Sequence, residues 1–348
     1  ISHDVYLHDS NITVYRRVTL NGDVTFASET ESNKVMYLQG VYDSRYYSAD
    51  CPPAFVVNGT LKCDSTRFTA RPMFYAYSSA TTPLSNFSVT LNGGFEGWTR
   101  ELGTSKKSAG DKVTIYLNTP FVTSNSSGIL LYNTDRIVCG AKNVLQGKDV
   151  GFYSTSGIDN TDEVFDLNGY DQICRGVYTT FTGDGNSYRN KGHVIKNTSS
   201  QLATLSLVGA TKDCLAHAEI DDAVSLVWAP DGDRTLTLRD RASTMSGSLV
   251  VSNGTVVLDG MGSLAQCRGI EVCDGADFRV ALTNGASGAL AVLKDLTLGA
   301  EANFTVAGDT GDPFGDATCT LHLKSDSVFT LKEGATYMFA NVYVGNAL

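Results

Sequence analysis

Ile270-Glu271-Val272 and Phe278-Arg279-Val280 form a pair of alternating apolar triplets that start eight residues apart. The pair returns as Leu296-Thr297-Leu298 with Phe304-Thr305-Val306, then as Leu321-His322-Leu323 with Phe329-Thr330-Leu331, at spacings of 26 and 25 residues. Apolar side chains at every second position mark short strands with one buried face. The intervening Asn253-Gly254, Asp274-Gly275, Gly299-Ala300 and Ser325-Asp326 supply corner chemistry, because Gly, Asn and Asp tolerate the positive φ of sharp turns. A looser copy runs from Ser248 and Val250 to Val256 and Leu258.

Strands repeated at nearly constant spacing, with the same residue types at matching positions, predict the coils of a parallel β-helix. Stacking would place Phe278, Phe304 and Phe329 in one internal column, and Val272, Leu298 and Leu323 in another. An antiparallel sandwich is the competing reading, since it too alternates and turns on Gly. Sandwiches do not generally hold residue type and spacing across consecutive copies. The only segment that reads as a short helix is Asp213 to Ala223.

Working toward the N-terminus, Val18-Thr19-Leu20-Asn21-Gly22-Asp23-Val24 already has the strand–corner–strand form, and Val89-Thr90-Leu91-Asn92-Gly93-Gly94 echoes it. Val113 to Leu117 and Ile129 to Tyr132 read as further strands, with Val41–Lys62 and Thr99–Asp111 as insertions between them. The expected fold is all-β: a right-handed parallel β-helix, irregular with loop insertions over 1–164 and regular over 165–348. The two parts are expected to be continuous. The chain begins at Ile1 and stops in mid-pattern at Leu348, as expected of a segment of a longer polypeptide.

Composition narrows the function. The 348 residues carry 27 Lys and Arg against 37 Asp and Glu, a net charge of −10, and only 18% are charged. An acidic chain without basic blocks lacks the footprint of nucleic-acid binding and of attraction to anionic membranes. No apolar run reaches the ~18–20 residues of a spanning helix. Seven Asn-x-Ser/Thr sites, at Asn11, Asn58, Asn86, Asn125, Asn197, Asn253 and Asn303, exceed chance too little to indicate a glycosylating host. The Asn-, Ser- and Thr-rich surface fits an extracellular or cell-surface location.

Phe165-Asp166-Leu167-Asn168-Gly169-Tyr170-Asp171-Gln172 resembles the opening motif of autotransporter-associated β-strand repeat proteins. The order that follows is similar as well: Gly192 to Asn197, Ala203-Thr204-Leu205, Leu226-Val227, Arg234 to Leu238, Gly247 to Val251 and Asn253 to Leu258. The ordered similarity covers about residues 164–260. It implies a bacterial secreted or surface β-helix, passenger-like, serving adhesion, a surface coat or a matrix. Eight cysteines are more than such passengers usually carry.

Candidate sites are few. Cys51 with Cys63, and Cys267 with Cys273, are the local disulfide candidates, whereas Cys319 shares parity with Leu321 and reads as a core thiol. Asp159, Asp162, Asp166 and Asn168 concentrate hard oxygen ligands, which makes calcium the one cofactor to consider, although their spacing fits no calcium-loop motif. Tyr42, Tyr46 and Tyr47 around Arg45, with Tyr75 and Tyr77 farther on, could stack on glycans or anchor a protein partner.

Polysaccharide hydrolases and lyases also use β-helices, and glycosidic cleavage needs paired carboxylates. Asn133-Thr134-Asp135, Asn160-Thr161-Asp162, Gly192-His193 and Asp221-Asp222 resemble polygalacturonase fragments, but in the wrong order and with no Arg-x-Lys to follow. No nucleophile elbow is present, and the five His are scattered. His322, between Leu321 and Leu323, should face outward. The expected function is therefore a non-enzymatic structural or adhesive protein, with end-to-end self-association or surface glycans and proteins as partners. The alternative is a carbohydrate-binding or polysaccharide-degrading protein.

Overall fold

In a computed structural model, the chain is an all-β solenoid of stacked parallel sheets. The structure describes residues 5–8, 12–14, 16–27, 35–41, 53–64, 71–77, 87–97, 101–106, 112–123, 129–132, 136–145, 147–153, 163–180, 193–315 and 318–345. The chain divides into two compact units, Ile1–Tyr170 with Thr180–Gly192, and Asp171–Thr179 with His193–Leu348.

The first unit winds three strands per coil. Val5–His8, Val24–Ala27, Leu61–Asp64, Phe95–Gly97 and Phe121–Thr123 line up in one parallel sheet. Arg17–Leu20, Ala54–Val57, Phe87–Leu91, Val113–Leu117, Arg136–Cys139 and Glu163–Asp166 line up in a second. A third carries Val35–Val41, Arg71–Tyr77, Glu101–Lys106 and Ile129–Tyr132 in sequence. Parallel register stacks Phe55, Val89, Ile115, Ile137 and Phe165 in one fully buried column. The segments Val41–Lys62 and Thr99–Asp111 are thus not pure insertions: each contributes a strand to the coils.

Corners in this unit are tied by side chains. Asn58 donates its amide to Asn21 Oδ1, Asn92 to Asn58 and Asn118 to Asn92, each at 2.7 Å. Gly59 follows one of these asparagines because the neighbouring corner passes too close for a side chain. A Cβ there would lie 2.4 Å from the Gly22 backbone. Lys62 pairs with Asp23 at 2.5 Å, and Asp23 Oδ1 accepts the Thr60 amide at 2.8 Å. Those two bonds hold the Asp23 carboxyl below its usual range.

In the second unit, an eight-stranded parallel sheet runs Gln172–Cys174, Ala203–Val208, Val224–Ala229, Ser248–Val251, Gly269–Val272, Asp295–Leu298, Thr320–Leu323 and Asn341–Val344. A six-stranded sheet stacks Cys214–Ala216, Thr235–Arg239, Thr255–Gly260, Asp277–Leu282, Asn303–Val306 and Val328–Thr330. The expected columns are present. Phe278 pairs in register with Phe304 and Phe304 with Phe329, with ring centroids 5.4 and 4.9 Å apart. Val272, Leu298 and Leu323 pair in the same way on the other sheet. Parallel aromatic stacks of this kind add about 0.5–1.5 kcal/mol per pair beyond area burial.

Three expectations need correction here. The segment Asp213 to Ala223 is not a helix but two strands, Cys214–Ala216 and Ala218–Ile220. Cys214, Ala216, Ala218 and Ile220 are buried while the residues between them are not, so the alternation is that of a strand. The looser copy is also shifted by one: Leu249 and Val251, not Ser248 and Val250, stack on Ile270 and Val272.

Cys267 and Cys273 are free thiols, not a bridge. They sit at opposite ends of the extended strand Gly269–Val272, so about 3.3 Å of rise per residue separates them by far more than a disulfide spans. Cys319 is a buried core thiol, as its parity required.

Candidate functional site

The aromatic cluster at Tyr42, Arg45, Tyr46 and Tyr47 lies outside the described residues, as do Cys51, Asp159 and Asp162. Tyr75 and Tyr77 belong to the strand Arg71–Tyr77, in register with Gln39 and Val41. Cys63 belongs to Leu61–Asp64, in register with Phe26 and Gly97. Of the four calcium candidates, Asp166 and Asn168 are described, and both are occupied by structural bonds. Asp166 is fully buried and ion-paired to Arg136, and its other oxygen accepts the Asn168 amide at 3.0 Å. The Asn168 side chain donates to the Cys139 carbonyl at 3.1 Å. Burial and the Asp166 carboxylate together push the Cys139 thiol far up. Among the described residues, no group of three or more His, Cys, Asp or Glu converges on a point where a metal could sit.

Of the fragments that resembled a polygalacturonase, Asn133-Thr134-Asp135, Asn160-Thr161-Asp162 and Gly192 lie outside the described residues. Asp221 Oδ1 accepts both the amide and the hydroxyl of Thr244, at 3.1 and 2.9 Å, and Asp222 adopts a φ of 65° at a corner. His193 is fully buried in the strand His193–Lys196, in register with Ala218. Many of the remaining polar side chains tie a coil to the next. Asp259 pairs with Arg239 and Glu219 with Arg241. Asp213 accepts the Thr235 amide, Asp274 the Ala300 amide and Asp240 the Met261 amide.

The described sequon asparagines belong to the same pattern. Asn197 donates to the carbonyls of Gln201 and Ala223, Asn253 to Pro230 and Gly232, and Asn303 to Asp277 Oδ1. Asn58 donates within the asparagine ladder.

One outward face of the second unit departs from that pattern. On the eight-stranded sheet, Val250, Glu271, Thr297, His322 and Tyr343 form one outward column on consecutive strands. His322 does face outward, but the Tyr343 ring stacks on it at 5.1 Å and covers it. Beside this column, at the sheet's corner, lies a groove of about 320 Å³ lined by Ser252, Glu271, Cys273, Asp274, Thr297, Gly299 and Lys324.

Gly299 lets the two corners pack closely: a Cβ there would lie 2.5 Å from the Asp274 amide nitrogen. Lys324 stands 3.8 Å from Asp274 at one end. Cys273 is half-buried at the corner, its thiol raised by burial and by the Glu271 carboxylate.

Sequence reasoning missed this groove because its residues come from four successive corners, each more than 20 residues from the next. The signal that could have found it is the Gly at position 299, where neighbouring coils carry Cys273 and Lys324.

No helix of the described residues is long and apolar enough to cross a membrane. The chain matches no protein-family model, no curated protein and no solved structure.

Proposed function

We propose that this chain is a non-enzymatic structural or adhesive β-solenoid of a bacterial surface or extracellular matrix. One observation carries the reading: many of the described acidic and amide side chains close coil-to-coil bonds. The chain from Asn21 through Asn58 and Asn92 to Asn118 is the clearest case. Hydrolysis would ask for the opposite, carboxylates held free and facing each other across a substrate. The resemblance of residues 164–260 to autotransporter-associated β-strand repeats supports an exported, surface-displayed setting.

Negative-stain electron microscopy with light scattering, alongside retention on insoluble polysaccharides and on bacterial cell envelopes, tests it. Ordered assemblies or specific retention are expected. A protein that neither assembles nor is retained by any of these surfaces would contradict the reading. Carbohydrate binding is the second reading, favoured by the open polar groove beside Glu271 and Thr297.

A further inference from the structure

The groove at the corner of the eight-stranded sheet sets two unspent polar side chains side by side on an open depression. Many Asp, Asn and Arg side chains close coil-to-coil bonds, Asp274 at this corner among them. Here the Glu271 carboxylate is exposed and the Thr297 hydroxyl stands beside it in strand register, and neither side chain hydrogen-bonds to a described residue. Adjacent parallel strands lie about 4.8 Å apart, so acceptor and hydroxyl are spaced to engage neighbouring groups of one ligand. Ser252 and the half-buried Cys273 line one side, and Lys324 stands against Asp274 on the other.

We propose that this groove is a saccharide-binding site for a neutral or amino-bearing sugar chain, the attachment point of the adhesive function proposed above, on which it rests. The chemistry follows from the inventory. A sugar presents adjacent hydroxyls that donate to one carboxylate, as Glu271 is placed to accept, and that also accept from Thr297 and Lys324. A volume of about 320 Å³ suits a short saccharide and lies at the small end of ligand sites. Two carboxylates against one lysine repel uronates and favour an amino sugar.

Cys273 gives the site its own reporter. It is half-buried on the groove, while Cys139, Cys174, Cys214, Cys267 and Cys319 are buried. The intact chain is alkylated with iodoacetamide and mapped by peptide mass spectrometry. The added probes are oligomers of N-acetylglucosamine, glucosamine or galacturonic acid. Protection of Cys273 is expected from one or both of the first two and not from galacturonate. It should reach about tenfold at ten times Kd, since only the unoccupied fraction reacts.

Glu271→Gln and Thr297→Val should each weaken that protection, read against each variant's own ligand-free rate, which rises in Glu271→Gln because the carboxylate that raises the thiol is gone. Absence of protection by every oligomer, or protection that survives both substitutions, would overturn the groove. Retention on an insoluble polysaccharide without protection of Cys273 would overturn it too, while leaving the adhesive reading intact.

Discussion

Asn58 donates its side-chain amide to Asn21 across 2.7 Å, although 37 residues of chain separate the two. The same bond recurs from Asn92 to Asn58 and from Asn118 to Asn92, so the amides form a continuous ladder up one corner of the first unit. A rung in the middle of such a ladder is held from both sides. Asn92→Ala removes two side-chain hydrogen bonds and leaves the partner groups of Asn58 and Asn118 unpaired. At about 1 kcal/mol per bond, the loss should be about 2 kcal/mol, read from the urea midpoint. A change below about 0.5 kcal/mol would show that water replaces the ladder at no cost.

The amides of four sequon asparagines, Asn58, Asn197, Asn253 and Asn303, are hydrogen-bond donors to neighbouring backbone or side chains. A glycan on that nitrogen would displace the bond and hold the coils apart. Secreted from a glycosylating host, the protease-resistant, folded fraction should carry no sugar at these four positions. Intact-peptide mass spectrometry showing glycan on folded protein at any of them would contradict this.

Phe304 is fully buried between Phe278 and Phe329 and also stacks on Phe314, at 5.8 Å. Phe304→Ala should therefore cost about 3–5 kcal/mol by combining lost burial with an unfilled cavity. Phe304→Leu should cost clearly less. Equal urea midpoints for the two variants would mean that the aromatic column is not a determinant of stability.

At the corner after Leu298, the left-handed position belongs to Glu301, with a φ of 57°, whereas the matching position of the preceding coil is Gly275, at 71°. A side chain in that conformation costs about 1–2 kcal/mol, partly offset by the greater chain entropy of glycine. Glu301→Gly is expected to raise stability by about 0.5–1 kcal/mol, seen as a higher melting temperature. A lower melting temperature would mean that the Glu301 side chain makes a compensating contact.

Burial pushes the Cys267 and Cys319 thiols from an ordinary 9.0 up to about 11 and about 12. Raised folded values mean that the unfolded chain loses its protons first. The stability these thiols contribute is therefore whole below pH 9 and lost as pH rises from about 9 toward 11 and 12. Urea midpoints should fall across that window, and Cys267→Ala should make the fall shallower. An unchanged slope would place the alkaline sensitivity elsewhere.

The coils between Ile270 and Leu331 were legible because consecutive inward residues recur at 26 and 25 residues, and alternation shows only when spacing holds. In the first unit the same column advances from Leu20 to Val57, Leu91, Leu117 and Cys139, in steps that shorten from 37 residues to 22. No fixed period exists there to detect, and Ala54–Val57 disappeared into a presumed insertion. Around Cys214 to Ile220 the small size of Ala216 and Ala218 hid a strand, because alanine carries helix propensity and little hydrophobic contrast. The groove was illegible for a different reason. Its residues come from four successive coils, and which of them meet depends on the register between coils.

The central claim, that this solenoid binds or builds and does not cut, is tested most directly by following the viscosity of soluble polysaccharides during incubation with the intact chain. A polygalacturonate, a chitosan and a neutral glucan would serve. Viscosity should stay constant throughout, with the protein co-sedimenting with chitosan or the neutral glucan in an E271Q-sensitive manner. A progressive fall in viscosity, with new reducing or unsaturated chain ends, would contradict it.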